Sequence, residues 1–346
     1  MTKKIWRGGM VGAGAWSELQ LNAWAGVKDA EIVALCDRHP DRREPVRSRF
    51  DIPQGFDDFE MMLNGADLDF VDICTRPYSH ARLVKLAAER ELPILCQKPF
   101  CTSIEEAKEV VEFCDKSGVR LMVNENWRWQ AWHRKAKELL DAGALGKLFL
   151  ASISWRMRMT LPGFDHSQGY LAEMPRLIVY EMGVHYLDTC RYLFGEPKSV
   201  FARLHHISPH TAGEDVQVIS LGFDDMTCLI DTSWASVAVP GVDVLEEKPD
   251  TWSPSRFRIE GTEGTLILNV DRSLVLVTDT ERRQWQFPPE TIHQSLAAAQ
   301  QHFIECLESG AEFETSGTET LKTMALVYAC YRSAEEARPV DPKELL

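Results

Sequence analysis

The sequence predicts an α/β protein in two parts. A doubly wound parallel sheet comes first, and an α/β region built on an open-faced, mainly antiparallel sheet comes second. Three observations predict it. Apolar runs alternate with helix-like patterns over the first third of the chain. A glycine turn, Gly12-Ala13-Gly14, closes the first of those runs. After about residue 147, strand-like runs succeed one another with only short turns between them. Strands alternating with helices indicate a parallel sheet covered on both faces, whereas consecutive strands indicate antiparallel pairing.

In the first part, Met10-Val11 ends a strand whose Gly8 and Gly9 weaken its local propensity. A helix pattern continues through Leu19, Ala23 and Trp24. Further strands are expected at 31–36, 68–75, from 93 to 96 and at 120–124, with a helix over 78–90. Ser103-Ile104-Glu105-Glu106 reads as a capping box, with Ser103 as N-cap and Glu106 at the third helical position; its helix ends near Ser117-Gly118. In the second part, 148–155 alternates and places Phe149, Ala151, Ile153 and Trp155 on one face. Strands recur at 198–206, 215–223, 226–234, 255–260, 264–270 and 273–279. Helices are expected at about 178–194, 291–309 and 316–336. The division is 1–125 and 126–346.

Hydrophobic residues make up 45% and charged residues 26% of the 346, enough to bury a sizeable core. The formal net charge of −14 argues against a nucleic-acid partner, which needs a basic face, and against anionic membrane surfaces. A neutral small molecule fits more easily. The nine cysteines are odd in number, lack any Cys-x-x-Cys and often sit in apolar runs, so reduced, buried thiols are expected. No apolar run reaches the roughly 18 residues of a membrane span, and the stretch after Lys3-Lys4 is too short and glycine-rich for a signal-peptide core. A cytoplasmic location is the resulting expectation.

The glycine turn succeeds a strand and opens a helix, the setting of a dinucleotide site. One glycine makes the turn, the other lets a pyrophosphate approach the backbone, and the helix N-terminus offers free N–H groups. Ser17 stands where a third glycine is usual, and is small enough to substitute in part. Asp37 ends the second strand at the spacing of a ribose-binding carboxylate. Its charge would repel a 2′-phosphate, which favours NAD; Arg38 beside it leaves NADP as the alternative. Lys98-Pro99 ends an apolar strand, at the sheet edge where such folds bind ligands, although an ordinary surface lysine reads the same way. Glu181 and His185 are i and i+4 on one expected helix, and Asp188 is i+3 from His185, so a carboxylate can orient and charge-stabilise the imidazole. A salt-linked surface histidine is the plainer reading. No third ligand stands at convincing spacing, so no metal is expected.

On these residues the chain resembles the Gfo/Idh/MocA oxidoreductase family. The match runs through V-G-A-G at 11–14, Asp37, Thr75-Arg76-Pro77 with His80, C-Q-K-P at 96–99, E-N-W-R at 125–128 and E-M-G-V-H-Y-L-D at 181–188. The C-Q-K-P-F and E-N-x-R-W-Q combination further resembles a subgroup that includes bacterial D-apiose dehydrogenases.

The resemblance implies a Rossmann domain, then an open-faced α/β domain, with substrate between the sheet edge and helix 178–194. It implies Gly12, Gly14, Ala15, Trp16, Asp37, Arg38, Thr75, Arg76, His80, Gln97 and Lys98 as the cofactor set. Lys98, Glu181, His185 and Asp188 form the catalytic set. His185 is the preferred base and Lys98 the holder of the hydroxyl, with the reverse as the alternative. Gln97 stands where the family often has Glu, and Glu181 where it often has Asp. Substrate contacts fall to Glu125, Trp127, Arg128, Arg156, His166 and Gln168, with a core place for Trp127 as the alternative.

The implied reaction is NAD-dependent oxidation of a neutral sugar or polyol, unphosphorylated, by hydride transfer to nicotinamide. NAD-assisted glycoside hydrolysis and a non-catalytic NAD-binding regulator are the other outcomes the family holds. A homodimer or homotetramer is expected, because Val216/Val218 and Ile219/Leu221 put apolar residues on both faces of one strand.

Overall fold

The computed structural model describes residues 4–157, 166–244 and 255–346, apart from the side chains of 166–168 and 292. It contains two compact units, one of Met1–Trp129 with Ile292–Met324, the other of Gln130–Thr291 with Ala325–Leu346.

The first unit is a six-stranded sheet in the order β3-β2-β1-β4-β5-β6. Its elements run β1 (Trp6–Val11), α1 (Ala15–Trp24), β2 (Ala30–Cys36), α2 (Pro40–Arg49), β3 (Gln54–Phe56), α3 (Phe59–Gly65), β4 (Phe70–Ile73), α4 (Pro77–Ala88), β5 (Ile94–Gln97), α5 (Ile104–Lys116) and β6 (Leu121–Asn124). Every pairing is parallel, as expected. The order reverses between β1 and β4, which creates the crevice at the carboxyl ends of the strands where such sheets bind ligands. Gly8 and Gly9 are required by packing. A Cβ on Gly8 would lie 2.3 Å from the Phe70 ring, and one on Gly9 would lie 2.8 Å from Leu68. The capping box forms in part. Ser103 Oγ accepts from the Glu106 N–H at 3.0 Å, but the Glu106 carboxylate accepts from the N–H and hydroxyl of Thr102 instead of from Ser103.

One expectation is corrected here. Residues 292–324 do not stay with the C-terminal part. Phe303, Ile304 and Phe313 enter the core that also holds Met10, Trp24 and Phe70. The Phe303 ring meets Phe70 edge-on at 5.5 Å and stacks on Phe313 at 5.2 Å. Thr315 closes the free edge of β6, accepting the Val123 N–H at 2.9 Å and donating its hydroxyl to the Val123 carbonyl at 2.6 Å. Covering an edge strand in this way leaves no ladder open to another chain.

The second unit holds α6 (Ala131–Asp141), β7 (Leu148–Arg156), α7 (Val184–Phe194), β8 (Ser199–His205), β9 (Val216–Gly222), β10 (Thr227–Ser233), β11 (Arg256–Gly261), β12 (Gly264–Leu268), β13 (Ser273–Thr278) and β14 (Arg282–Gln286). The sheet order is β14-β13-β12-β11-β7-β10-β9-β8. It is antiparallel except for β10 on β7. Two long helices, α8 (Thr291–Ser309) and α9 (Gly317–Glu336), come after it in the chain; α9 divides between the units after Met324.

One sheet face is packed, with Ala151, Ile153, Trp155, Ile219, Leu221, Cys228 and Ile230 all buried. The other is open, with Val218 at 43% and Leu229 at 39% exposure. Phe149 departs from its expected face-mates: it precedes the packed stretch of β7 and is 51% exposed. No helix among the described residues is long and apolar enough to cross a membrane.

Candidate active site

The glycine turn is built as the sequence requires. Gly12 has φ +108°, and a Cβ there would lie 2.0 Å from the Cys74 carbonyl oxygen. Gly14 has an ordinary φ of −82°, and a Cβ on it would meet nothing. Its missing side chain therefore keeps space open rather than relieving a clash inside the protein. Gly14 is also the N-cap of α1, and no side chain caps that end, so its first N–H groups remain for an anion. Ser17 is fully buried and turns its hydroxyl back onto the Gly14 carbonyl at 2.5 Å, which lets a polar residue stand at the close helix–strand contact.

Asp37 reaches back to this turn. Its Oδ2 accepts the Ala13 N–H at 2.9 Å and its Oδ1 accepts the His39 N–H at 2.8 Å. Each oxygen keeps a further lone pair, as a ribose diol needs. Arg38 points elsewhere, donating through Nε to His39 at 3.0 Å, and is exposed. The residues present thus fit a dinucleotide: an open cradle, an uncapped helix end and an acceptor-only carboxylate.

Lys98 comes directly after the last residue of β5, half-buried, before a cis bond to Pro99. Gln97 is buried, and its Oε1 accepts the indole N–H of Trp16 at 3.2 Å, which ties the C-Q-K-P segment to the first turn of α1. Thr75 shares a 2.7 Å hydrogen bond with Ser79, and Arg76 is exposed at the N-cap of α4. His80, expected in the cofactor set, lies one turn into α4. It is fully buried, and its two ring nitrogens face the backbone oxygens of Phe100 and Thr75, each at 2.9 Å. A neutral imidazole donates to one of these two carbonyls, which ties His80 to the turn after Lys98. Burial lowers its pKa, against the opposite pull of those carbonyls.

Glu125 is buried after β6. Trp127 is half-buried in the short 3-10 turn Asn126–Trp129. Arg128 is 7% exposed and donates to the Glu314 carbonyl at 3.1 Å.

In the second unit the helix expected over 178–194 forms with those bounds, but its first turn is wound more widely than an α-helix. Ile178–Gly183 forms a π-helical turn, and only Val184–Phe194 is regular α-helix. The wide turn carries Glu181, so the i, i+4 spacing argument for Glu181 and His185 does not carry across it unchanged; His185 and Asp188 share α7. Such turns are frequent at functional sites. Gly183 ends the turn because a Cβ there would lie 2.8 Å from Gln217 Oε1 of β9. His185 is 4% exposed. Asp188 is buried and lies 3.8 Å from the buried guanidinium of Arg191, which also binds Glu196 through two hydrogen bonds at 2.8 and 2.5 Å. That ionic chain joins Asp188 and Arg191 of α7 to Glu196 just past its end.

Arg156, expected as a substrate contact, ends β7 paired with the Asp231 carboxylate and donates to the Asp231 carbonyl at 2.5 Å. The side chains of His166 and Gln168 lie outside the described residues. Among the described residues, no group of three or more His, Cys, Asp or Glu could hold a metal ion.

With this geometry, comparison with known proteins is direct. Residues 6–125 match the model of the oxidoreductase family with NAD-binding Rossmann fold, and residues 133–267 match the GFO/IDH/MocA C-terminal domain. The chain belongs to this family. A D-apiose dehydrogenase from Paraburkholderia graminis is 37% identical, with 99% of this chain and 92% of the relative covered. One from Rhizobium rhizogenes is 36% identical over 97% of each. An oxidoreductase from Agrobacterium radiobacter, solved in complex with NAD+, L-tartaric acid and magnesium, superposes with a TM-score of 0.91 at 35% identity, covering 99% of this chain and all of that one.

Proposed function

We propose that the protein is an NAD-dependent dehydrogenase that oxidises one alcohol of a neutral aldose or polyol, with D-apiose the first substrate to test. The observation that carries the cofactor reading is Asp37, whose carboxylate is locked on the Ala13 N–H at the glycine turn. The substrate class rests on the near full-length likeness to proteins named D-apiose dehydrogenase.

Gly12, Gly14, Ala15 and Trp16 offer the backbone of the turn, Asp37 takes the ribose, and Gln97 with Thr75 lines the strand ends. Bound NAD supplies the acceptor for the hydride. His185 takes the hydroxyl proton, and Lys98 stabilises the alkoxide charge as it develops. Glu181 favours the protonated imidazole. Asp188, one turn along α7 from His185, binds a substrate hydroxyl.

A neutral substrate is favoured by the arginines that could otherwise form an anion pocket. Arg156 pairs with the Asp231 carboxylate, which offsets its charge, and Arg128 donates to the Glu314 carbonyl. A homo-oligomer is supported by the open sheet face, where Val218, Leu229 and Val277 are each about two-fifths exposed. A cytoplasmic location is supported by the nine cysteines, all free and buried. A panel of D-apiose, other pentoses, hexoses, inositols and their phosphates, read by NADH absorbance, tests the proposal. Turnover of an unphosphorylated sugar or polyol is expected. A phosphorylated member preferred by more than about tenfold, roughly 1.4 kcal/mol of transition-state preference, would overturn the substrate class.

A further inference from the structure

The start of a helix leaves N–H groups without partners inside the helix, and a buried start must find acceptors elsewhere. The π-helical turn at Ile178–Gly183 is such a start, with Leu177 through Tyr180 all buried. Two residues distant in sequence supply the acceptors. Glu214 Oε1 takes the N–H of Leu177 at 3.1 Å and of Val179 at 3.2 Å, and the Glu214 carbonyl takes the N–H of Ile178 at 3.0 Å. The Tyr331 hydroxyl takes the N–H of Tyr180 at 3.2 Å and donates its own proton to Glu214 Oε1 at 2.6 Å. Four successive donors are thus met by one carboxylate, one carbonyl and one phenol.

The surroundings are shaped for this. A Cβ on Gly213 would lie 2.6 Å from the Met174 carbonyl and 2.9 Å from the Leu177 nitrogen, so glycine lets the loop before β9 approach the helix start. Asp215, next along, turns the other way and pins the strand connection through the N–H groups of Ile207 at 2.8 Å and Ser208 at 2.9 Å. Arg176 lies over the Tyr331 ring at 5.2 Å. Burial and Glu214 push the Tyr331 phenol's pKa up, which keeps it a donor.

We propose that Glu214 and Tyr331 are positioning residues for the reaction: they fix the π-helical turn that carries Glu181 and delivers the chain into α7 at His185. The proposal rests on the dehydrogenase reading for its kinetic arm only. Glu214→Ala removes the acceptor, Glu214→Gln restores an acceptor oxygen without the charge, and Tyr331→Phe removes the phenol alone. In Glu214→Ala and Tyr331→Phe, kcat falls about 10- to 100-fold, the scale of a misplaced catalytic group, while KM for NAD stays at the wild-type value. Glu214→Gln recovers most of that loss. Hydrogen exchange of the amides at 177–180 speeds up in the same two variants and not in β9 or α9.

Wild-type kcat with wild-type protection at 177–180 in Tyr331→Phe and Glu214→Ala overturns the proposal. If Glu214→Ala folds poorly, Tyr331→Phe and Glu214→Gln decide. If the wild-type protein oxidises no sugar, the dehydrogenase reading fails by itself, and exchange at 177–180 still decides whether these residues hold the turn.

Discussion

The carboxylate of Asp37 accepts the backbone N–H of Ala13 at 2.9 Å, joining the end of β2 to the glycine turn that leaves β1. The bond fixes a negative charge beside the place where a dinucleotide's ribose would lie, and a 2′-phosphate there would meet it at close range. NAD is therefore expected to exceed NADP in kcat/KM by at least about tenfold, equivalent to roughly 1.4 kcal/mol. Asp37→Ala should narrow the ratio. Initial rates with both cofactors check this, and equal use of NADP would contradict it.

Gly12 and Gly14 separate fold from function. Gly12→Ala meets a left-handed φ and the Cys74 carbonyl at 2.0 Å, so it should destabilise the protein by a few kcal/mol. A Cβ on Gly14 meets nothing in the protein, so Gly14→Ala should melt like the wild type without NAD yet bind NAD at least about tenfold more weakly. Thermal melts paired with calorimetric titration of NAD read both effects. Equal loss of stability in the two variants would refute the distinction.

Asp72 lies in the middle of β4, fully buried, with Oδ2 accepting the Trp24 indole N–H at 2.7 Å. Burial raises its pKa from 3.8 to about 7, against the lowering pull of that hydrogen bond. As pH rises above 3.8 the unfolded carboxyl gives up its proton before the folded one does, so the folded state loses stability from this group until pH reaches about 7. Above that the penalty is constant. Asp72→Asn removes it. The melting-temperature difference between Asp72→Asn and the wild type should grow in the variant's favour from pH 4 to about 7 and then level off. A difference that does not vary with pH would show that Asp72 does not titrate in this way.

Much of this was legible in the sequence because it rests on local signals. The strand ends, the glycine turn, Asp37 and the two long C-terminal helices are set by hydrophobic periodicity and turn chemistry. The features that escaped were set by long-range packing or by weak local pattern. β3 has only three residues, and β14 reads Arg-Arg-Gln-Trp-Gln, with one apolar residue to betray a strand. The return of Phe303 of α8, and of Phe313 in the connection that follows it, to the first core leaves no mark in the local pattern.

The candidate site shows the same limit. Motif positions nominated Lys98, Glu181 and His185, but spacing alone could not show that the His80 ring faces two backbone carbonyls or that Asp231 pairs with Arg156. Nor could periodicity distinguish a π-helical turn from a regular one. Glu214 gave no signal beyond an acidic residue before a strand. The glycine preceding it was the sole sign of a close approach.

Lys98→Ala and His185→Ala should each lower turnover about 10²–10⁴-fold, the range for positioned acid–base groups. NAD affinity should change little, because the glycine turn and Asp37 are left intact. Steady-state kinetics with separate NAD titrations measure both quantities, and near-wild-type turnover in either variant would remove that residue from the mechanism.

The central claim is net transfer of two electrons from sugar to NAD, and its most direct measurement is the NADH formed per sugar consumed. The purified protein, supplied with excess NAD and a limiting neutral sugar that it consumes, should yield one NADH for each molecule of oxidised product, by absorbance and by product chromatography. Sugar cleaved or converted with no accumulation of NADH would contradict the account and point to transient oxidation. NAD binding with no conversion of any sugar would point to a regulator.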